Sequence, residues 1–511
     1  MADTRHSKGR LPLLVLRADA DARIGTGHLM RSLALGQAYQ AEGGSVKFVT
    51  ACKNRRLLKR LREENFKVDE LESPYPDPLD WRRTEVQLAE DPDSWLILDG
   101  YNFEPRYQLL VKQSDHRLMV IDDLADLPHY YSDIILNQNI RATDLIYPCE
   151  PDTKLLLGTK YVILRKEFLS WRDWKRTIPE LGRKVLVTMG GGDPDNVTLK
   201  VIDALPQVGI EGLEATVLVG ETNLHLEELE NAVRSSPISI HLEHNVNSMP
   251  EKMRWADVAV AAGGTTTWEL AFLGTPRLVV ALAPNQEPVA TALNELGAAI
   301  NLGTYDSVTS SQIAHALRRL LEGATERQEM SHRARGLIDG EGADRVLMQL
   351  KGDKIRLRRV REDDCRMLWE CVNEGEARSS AFSTEPIAWD DHQEWFAKKL
   401  ADRKCFSFVG VDVEDNPVGF LRFDMSQGDE AEVDINVRRS ERGKGYGTLL
   451  LSAGADELLR ISVVRAFHAF IKPQNSASIG VFERCQFKNL GPVKVKGNSA
   501  LHFIRDRNDR C

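Results

Sequence analysis

The segment ARIGTGH joins an apolar run at residues 11–17 to a helical pattern that opens at His28. Gly25 and Gly27 let the backbone approach a ligand closely, and the start of the following helix favours an anion. The positive end of that helix disfavours imidazolium, so His28 is expected to stay neutral, as a general base must. The spacing alone equally fits a glycine turn with a surface histidine. A similar device occurs twice further on. Gly190, Gly191 and Gly192 sit in one strand-to-helix turn, with Asp193 or Asp195 as the helix cap. Gly263 and Gly264 sit in another, followed by Thr265, Thr266 and Thr267. Backbone N–H groups in such turns can cradle a diphosphate. A fourth turn, VRRSERGKGYGTLLL, sets Arg442 and Lys444 beside Gly445 and Gly447 at a helix start, again a pattern for phosphate. On the strand before it, Glu432 and Asp434 alternate and so share one face. Glu432 is the candidate base there, acting through water. His468 is a second candidate, with a buried, hydrogen-bonded histidine as its other reading.

Strands must carry these turns. The runs at 11–17, 45–50, 95–98 and 117–121 alternate with helical stretches, which implies a parallel α/β sheet. A second series follows at 184–189, 215–220, 257–262 and 277–282, with Gly274 and Pro276 ending the helix between the last two. Two such units imply facing Rossmann-like domains whose ligands lie beyond the carboxyl ends of the strands. Residues 335–354 read as a closing helix plus linker. From 355 the texture changes to a strand, helical stretches at 363–373 and 389–400, and strands at 406–413, 417–425 and 431–437. The expected domains are 1–165, 166–350 and 354–511.

A chain of 511 residues, 42% hydrophobic and 28% charged, can bury ordinary cores. A net charge of −9 speaks against a nucleic-acid partner. Seven cysteines without C-x-x-C spacing speak against a disulfide framework or structural zinc and for a cytoplasmic protein. The N-terminus carries Arg5, Lys8 and Arg10 before LPLLVL, too short a run for a signal peptide, and no run near 18 apolar residues predicts a membrane span.

RADADARIGTGHLMR resembles the opening of the UDP-2,4-diacetamido-2,4,6-trideoxy-β-L-altropyranose hydrolases of pseudaminic acid synthesis. LDGYN (98–102), VIDDLAD (120–126), ILNQN (135–139), MGGGD (189–193) and AGGTTTWELAFLGTP (262–276) resemble later segments of that family in the same order. The resemblance spans about residues 12–350. It implies metal-free hydrolysis of a UDP-sugar at the anomeric carbon, with His28 as base and Tyr101 near the reacting centre. Arg17, Asp19 and Gly27 would hold the loop or the sugar. Asp122 and Asp123 either touch substrate or cap the turn.

The second half also looks like the UDP-binding half of MurG-type, GT-B glycosyltransferases. That likeness implies Gly191, Gly264 and Thr265 at the diphosphate, Glu269 on the ribose, and Asn285 and Gln286 on the sugar. Trp268 reads as packing. Arg165 is either a substrate contact or a salt bridge between the halves.

Arg442, Gly445 and Gly447 fit R-x-x-G-x-G, the pyrophosphate loop of GNAT acetyltransferases, and KPQNSASIGVFERCQF resembles their second signature. The implied cosubstrate is acetyl-CoA, lined by Val437, Arg442, Gly443, Lys444, Gly445, Tyr446, Gly447, Asn475 and Ser478. Phe482 stands where that family commonly has a tyrosine acid. Consecutive N-acetylation and hydrolysis of one nucleotide sugar is the joint expectation. A glycosyltransferase with a modifying acetyltransferase, or a hydrolase with a degenerate GNAT module, are the rivals.

Overall fold

The computed structural model describes residues 11–21, 24–220, 222–244, 246, 248–426 and 429–509. The basic residues before position 11 and Cys511 lie outside them. The chain divides into two compact units, Met1–Leu347 and Met348–Cys511. Each unit is α/β.

The first unit holds two sheets. One contains β1 (Leu14–Ala18), β2 (Val46–Thr50), β3 (Lys67–Glu70), β4 (Trp95–Asp99), β5 (Arg117–Ile121), β6 (Ile134–Asn137) and β7 (Lys154–Leu157). They lie in the order β3-β2-β1-β4-β5-β6-β7, all parallel. β1, β2 and β4 are buried at every residue, as strands covered on both faces must be, hence their nearly unbroken apolar runs. The other sheet contains β8 (Lys184–Thr188), β9 (Glu214–Val219), β10 (Ser239–His244), β11 (Val258–Ala262), β12 (Arg277–Ala281) and β13 (Ile300–Thr304), in the order β10-β9-β8-β11-β12-β13. In each sheet the strand order reverses once, between β1 and β4 and between β8 and β11. A crevice opens outside the carboxyl ends of strands at such a switch point. The turn bearing His28 follows β1 and the segment bearing Tyr101 follows β4. The glycine turns at 190–192 and 263–264 follow β8 and β11. All four chemical segments thus occupy the two switch points.

Residues 335–354 carry the closing helix expected there. Two helices, Ala324–Leu337 and Gly342–Lys351, fill most of that stretch. Gly340 breaks between them at φ +77, a conformation open to glycine without strain.

The second unit has one seven-stranded sheet: β14 (Arg356–Arg359), β15 (Cys405–Val411), β16 (Pro417–Met425), β17 (Glu430–Val437), β18 (Ala466–Ile471), β19 (Lys488–Val495) and β20 (Asn498–Asp506), in the order β14-β15-β16-β17-β18-β20-β19. Only β17 and β18 are parallel neighbours, and they pair for three residues, ending at Glu432 opposite His468. Beyond that point the strands part. Leu421, Phe423, Ala431, Val433, Phe467 and Ala469 turn their side chains to a core shared with Leu450, Leu451, Ala455 and Leu458 of the helix Tyr446–Ile461. The alternate residues, including Glu432, Asp434 and His468, face the other way.

Candidate functional site

His28 is the second residue of the helix Gly27–Ala41 and is buried. Its Nδ1 lies 2.6 Å from Oδ1 of Asp99, the last residue of β4. A contact this short between an imidazole nitrogen and a carboxylate needs a proton on Nδ1. In the neutral ring Nε2 is then the basic nitrogen. Arg31, one turn along the helix, reaches both Asp99 oxygens at 2.7 and 2.6 Å and Asp123 Oδ1 at 2.9 Å. Asn139 donates to Asp123 at 2.8 Å. The Tyr101 ring meets His28 edge to face with centroids 4.7 Å apart, and its hydroxyl donates to Asp123 Oδ2 at 3.2 Å. Burial alone would raise the Asp99 carboxyl, but Arg31 and His28 outweigh it and hold it down at about 2. Burial likewise works against ionised Asp123, and Arg31 overcomes it. Burial and the Asp123 charge push the Tyr101 hydroxyl up, so it remains a phenol donor. One arginine and two carboxylates thus leave a net negative charge beside His28.

The glycine turns of the second half face this cluster across a cleft of ≈ 1110 Å³. A Cβ on Gly191 would stand 2.7 Å from Thr26 side-chain atoms and 3.0 Å from its backbone nitrogen, so the two turns approach only because residue 191 is glycine. Asn285, after β12, donates to the Tyr101 hydroxyl at 2.9 Å and couples the second half to the reacting end. Gln286 spends its carbonyl oxygen on the backbone N–H groups of Gly263 (3.1 Å) and Leu282 (3.0 Å), which shapes the turn. Arg165 Nε donates to Glu269 at 2.7 Å, and both line the cleft. Arg165 therefore makes the salt bridge anticipated as its alternative. Asp193 caps the helix Val197–Ala204, accepting from Val197 and Thr198 N–H at 2.8 Å each. Trp268 is buried packing.

Two expectations offered alternatives, and the geometry separates them. Arg17 is 0% exposed, its guanidinium saturated by Asp80 and Asp19, and Asp19 also accepts from Ala51 N–H at 2.6 Å. Neither lines the cleft. They brace the end of β1, because a buried guanidinium must be paired within the protein. Asp122 and Asp123 part company: Asp122 accepts from Leu124 and Ala125 N–H and from the Tyr130 hydroxyl, closing its own turn, whereas Asp123 joins the cluster. Asp99, Arg31 and Asn139 were not singled out from sequence. Asp99 stands two residues before Tyr101 within LDGYN, and Arg31 follows His28 at the i+3 spacing that places both on one helix face. Those were the available signals. Among the described residues, no group of three or more His, Cys, Asp or Glu is placed to hold a metal.

In the second unit Gly443 and Gly445 take φ +77 and +86, and the turn delivers the chain into the helix Tyr446–Ile461 with Gly447 in its first turn. Arg442 holds the Val437 carbonyl at 3.1 Å and forms ion pairs with Glu374 and Glu376, both at 2.7 Å. Val437 and Arg442 border a cavity of ≈ 570 Å³, while Lys444 pairs outward with Glu441 at 3.0 Å. The Asn475 side chain caps the helix Ser476–Arg484 by accepting from Ser478 N–H at 3.1 Å, which joins those two residues. Glu432 is exposed. Phe482 is 2% exposed, edge to face with Phe487 in the apolar core.

Comparison with known proteins accords with this layout. The glycosyltransferase family 28 C-terminal domain matches residues 185–346, and the acetyltransferase (GNAT) domain matches residues 354–488. The spore coat polysaccharide biosynthesis protein SpsG of Bacillus subtilis is 27% identical over 46% of this chain and 69% of its own. An uncharacterized protein of Methanocaldococcus jannaschii is 23% identical over 93% of this chain and 96% of its own. The UDP-2,4-diacetamido-2,4,6-trideoxy-beta-L-altropyranose hydrolase of Campylobacter jejuni is 24% identical over 56% of this chain and 97% of its own. The chain thus joins two Rossmann-like halves, the second matching the glycosyltransferase family 28 C-terminal domain, to a unit that matches the acetyltransferase (GNAT) domain.

Proposed function

We propose that the first unit hydrolyses a UDP-2,4-diacetamido-2,4,6-trideoxy-β-L-altrose to free sugar and UDP, and that the second N-acetylates the 4-amino group of its precursor with acetyl-CoA, in pseudaminic acid synthesis. The observation that carries the hydrolytic half is the His28–Asp99 contact facing the glycine turns across the cleft. Diphosphate bound at the 263–266 turn, with Glu269 toward the ribose, sets the anomeric carbon toward Tyr101 and His28. Water attacks that carbon, Nε2 of His28 takes its proton, and the bond to UDP breaks with inversion. The hydrolase relative from Campylobacter supports the substrate class. The proposed domains are 1–165, 166–350 and 354–511, and the proposed setting is the cytoplasm. Incubating the full chain with candidate UDP-amino-sugars, with and without acetyl-CoA, and weighing the products tests the reading. Release of free sugar and UDP without an acceptor is the expected result. Sugar transfer to an acceptor without free sugar would favour the glycosyltransferase reading.

Residues 1–350 alone are expected to hydrolyse the acetylated nucleotide sugar, and residues 351–511 alone to bind acetyl-CoA, measured by UDP release and by calorimetry. An insoluble or inactive piece would overturn their independence.

In the acetyl transfer, Glu432 acts as base through water. Glu432→Gln should depress acetylation at neutral pH and recover in part at higher pH, where more acceptor amine is free. Phe482→Tyr should bring no gain in rate, since its hydroxyl would enter an apolar core at a cost of about 1–3 kcal/mol. A large gain in coenzyme A release from Phe482→Tyr would instead favour a GNAT module lacking its acid.

A further inference from the structure

His468 and His502 form a pair that the acid–base scheme above leaves unused. Nδ1 of His468 lies 2.9 Å from Nε2 of His502, with ring centroids 5.2 Å apart and planes 22° apart, so the two nitrogens meet edge to edge. Phe470 stacks on the far side of His502 at 4.8 Å. A 2.9 Å contact between two ring nitrogens holds one shared proton. The Nε2 of His468 is buried without a hydrogen bond; the Glu430 carboxylate stands 3.3 Å away but is poorly aligned to accept one. In the strand register His468 is opposite Glu432, at the last paired position before β17 and β18 part. The pair thus adjoins both the candidate base and the opening between the strands.

We propose that the His468–His502 pair is the proton store of the acetyl transfer, drawing the acceptor's proton away through Glu432 and returning one to the coenzyme. The proposal rests on the acetyltransferase reading above. An acceptor R–NH₃⁺ first loses a proton through water and Glu432 to the pair. The free amine attacks the thioester carbonyl, a C–N bond forms and the C–S bond breaks. Of the two protons the nitrogen gives up, one ends on the coenzyme A sulfur and the other leaves to solvent. Such a store supplies the acid that Phe482 cannot. Burial and the neighbouring His468 hold His502 below the ordinary histidine range, which favours the neutral, proton-accepting state at pH 7. The other charged groups on this face include Glu430, Glu432 and Asp434 of β17, Asp506 of β20, Lys488 of β19, which is paired with Asp509, and Arg422 and Asp424 of β16, where Arg422 pairs with both Asp434 and Asp424 and Asp424 also with Lys399.

The test is the pH dependence of coenzyme A release by the full chain, wild type against His502→Gln and His502→Phe. The phenylalanine keeps a flat ring and removes the nitrogen. The acceptors are a UDP-4-amino-sugar, a polyamine and an aminoglycoside. Both variants should lower kcat/KM about tenfold at pH 7, below the full worth of a general base because the pair acts through Glu432. They should converge on wild type near pH 9 and leave the KM for acetyl-CoA unchanged. An equal loss at every pH, or none, would overturn the proton store while leaving the acetyltransferase reading intact. Transfer only to the polyamine or aminoglycoside would overturn the sugar assignment and still decide the histidines. Transfer to no amine would overturn both.

Discussion

Replacing His28 with alanine is expected to reduce UDP release from the acetylated nucleotide sugar by at least about 100-fold, the usual worth of a positioned general base. Acetyl transfer by the same chain should survive. Asp99→Asn is expected to cost about 10²–10⁴-fold as well, because an amide in that place no longer fixes the proton on Nδ1 and the ring loses its basic Nε2 toward the cleft. Asp99 is held at about 2 by Arg31 and His28 against the effect of burial. It stays ionised through any practical assay range, so a loss of wild-type hydrolysis between about pH 8 and pH 5 cannot come from its protonation. Initial rates of UDP release check both variants. Near-wild-type hydrolysis by His28→Ala would remove His28 from the chemistry, and near-wild-type hydrolysis by Asp99→Asn would remove the orienting role.

Arg31→Met should act on stability as much as on rate. Arg31 bonds to both Asp99 and Asp123, which are buried. Removing it takes the arginine from two neighbouring buried carboxylates, a change that costs about 3–5 kcal/mol where one partner of a buried pair is lost. The sign of its pH dependence follows from the carboxyls. In the wild type both lie below their ordinary values, so their contribution is present above the unfolded value near 3.9 and is lost as pH falls through the folded values, about 2 for Asp99. Without Arg31 burial dominates, the folded carboxyls rise above the unfolded value, and acid then favours the folded state. The stability gap between wild type and variant should therefore narrow from pH 7 to pH 4. Thermal melts at the two pH values check this. A constant gap, or equal melting temperatures, would show that Arg31 does not neutralise this cluster.

The sequence by itself determined the pieces that are local. Strands β1, β2, β4, β8, β11 and β12 are apolar runs because both their faces are covered, and a run of that kind reads directly. The glycine turns read equally well, since only glycine takes the φ of Gly25, Gly190 or Gly445 without strain. β3 and β10 are partly exposed throughout, and their mixed composition hid them. Tertiary structure alone decided which polar residue meets which. Arg17 and Arg31 are both arginines near the same loop. One is sealed under β1 by Asp80, 63 positions away, and the other joins Asp99 and Asp123, 68 and 92 positions away. The i+3 spacing from His28 places Arg31 on that face, but no local spacing says which carboxylates either arginine meets, because that is set by what the sheet order brings beside them. The same holds for Phe482, whose place in the core depends on Phe487 and Phe503, and for His468, whose partner His502 arrives only when β20 pairs with β18. Periodicity and turn chemistry act within a few residues along the chain. The charge pairs that would tune a catalytic group form where β1 and β4 lie side by side, and that adjacency exists only in the folded sheet.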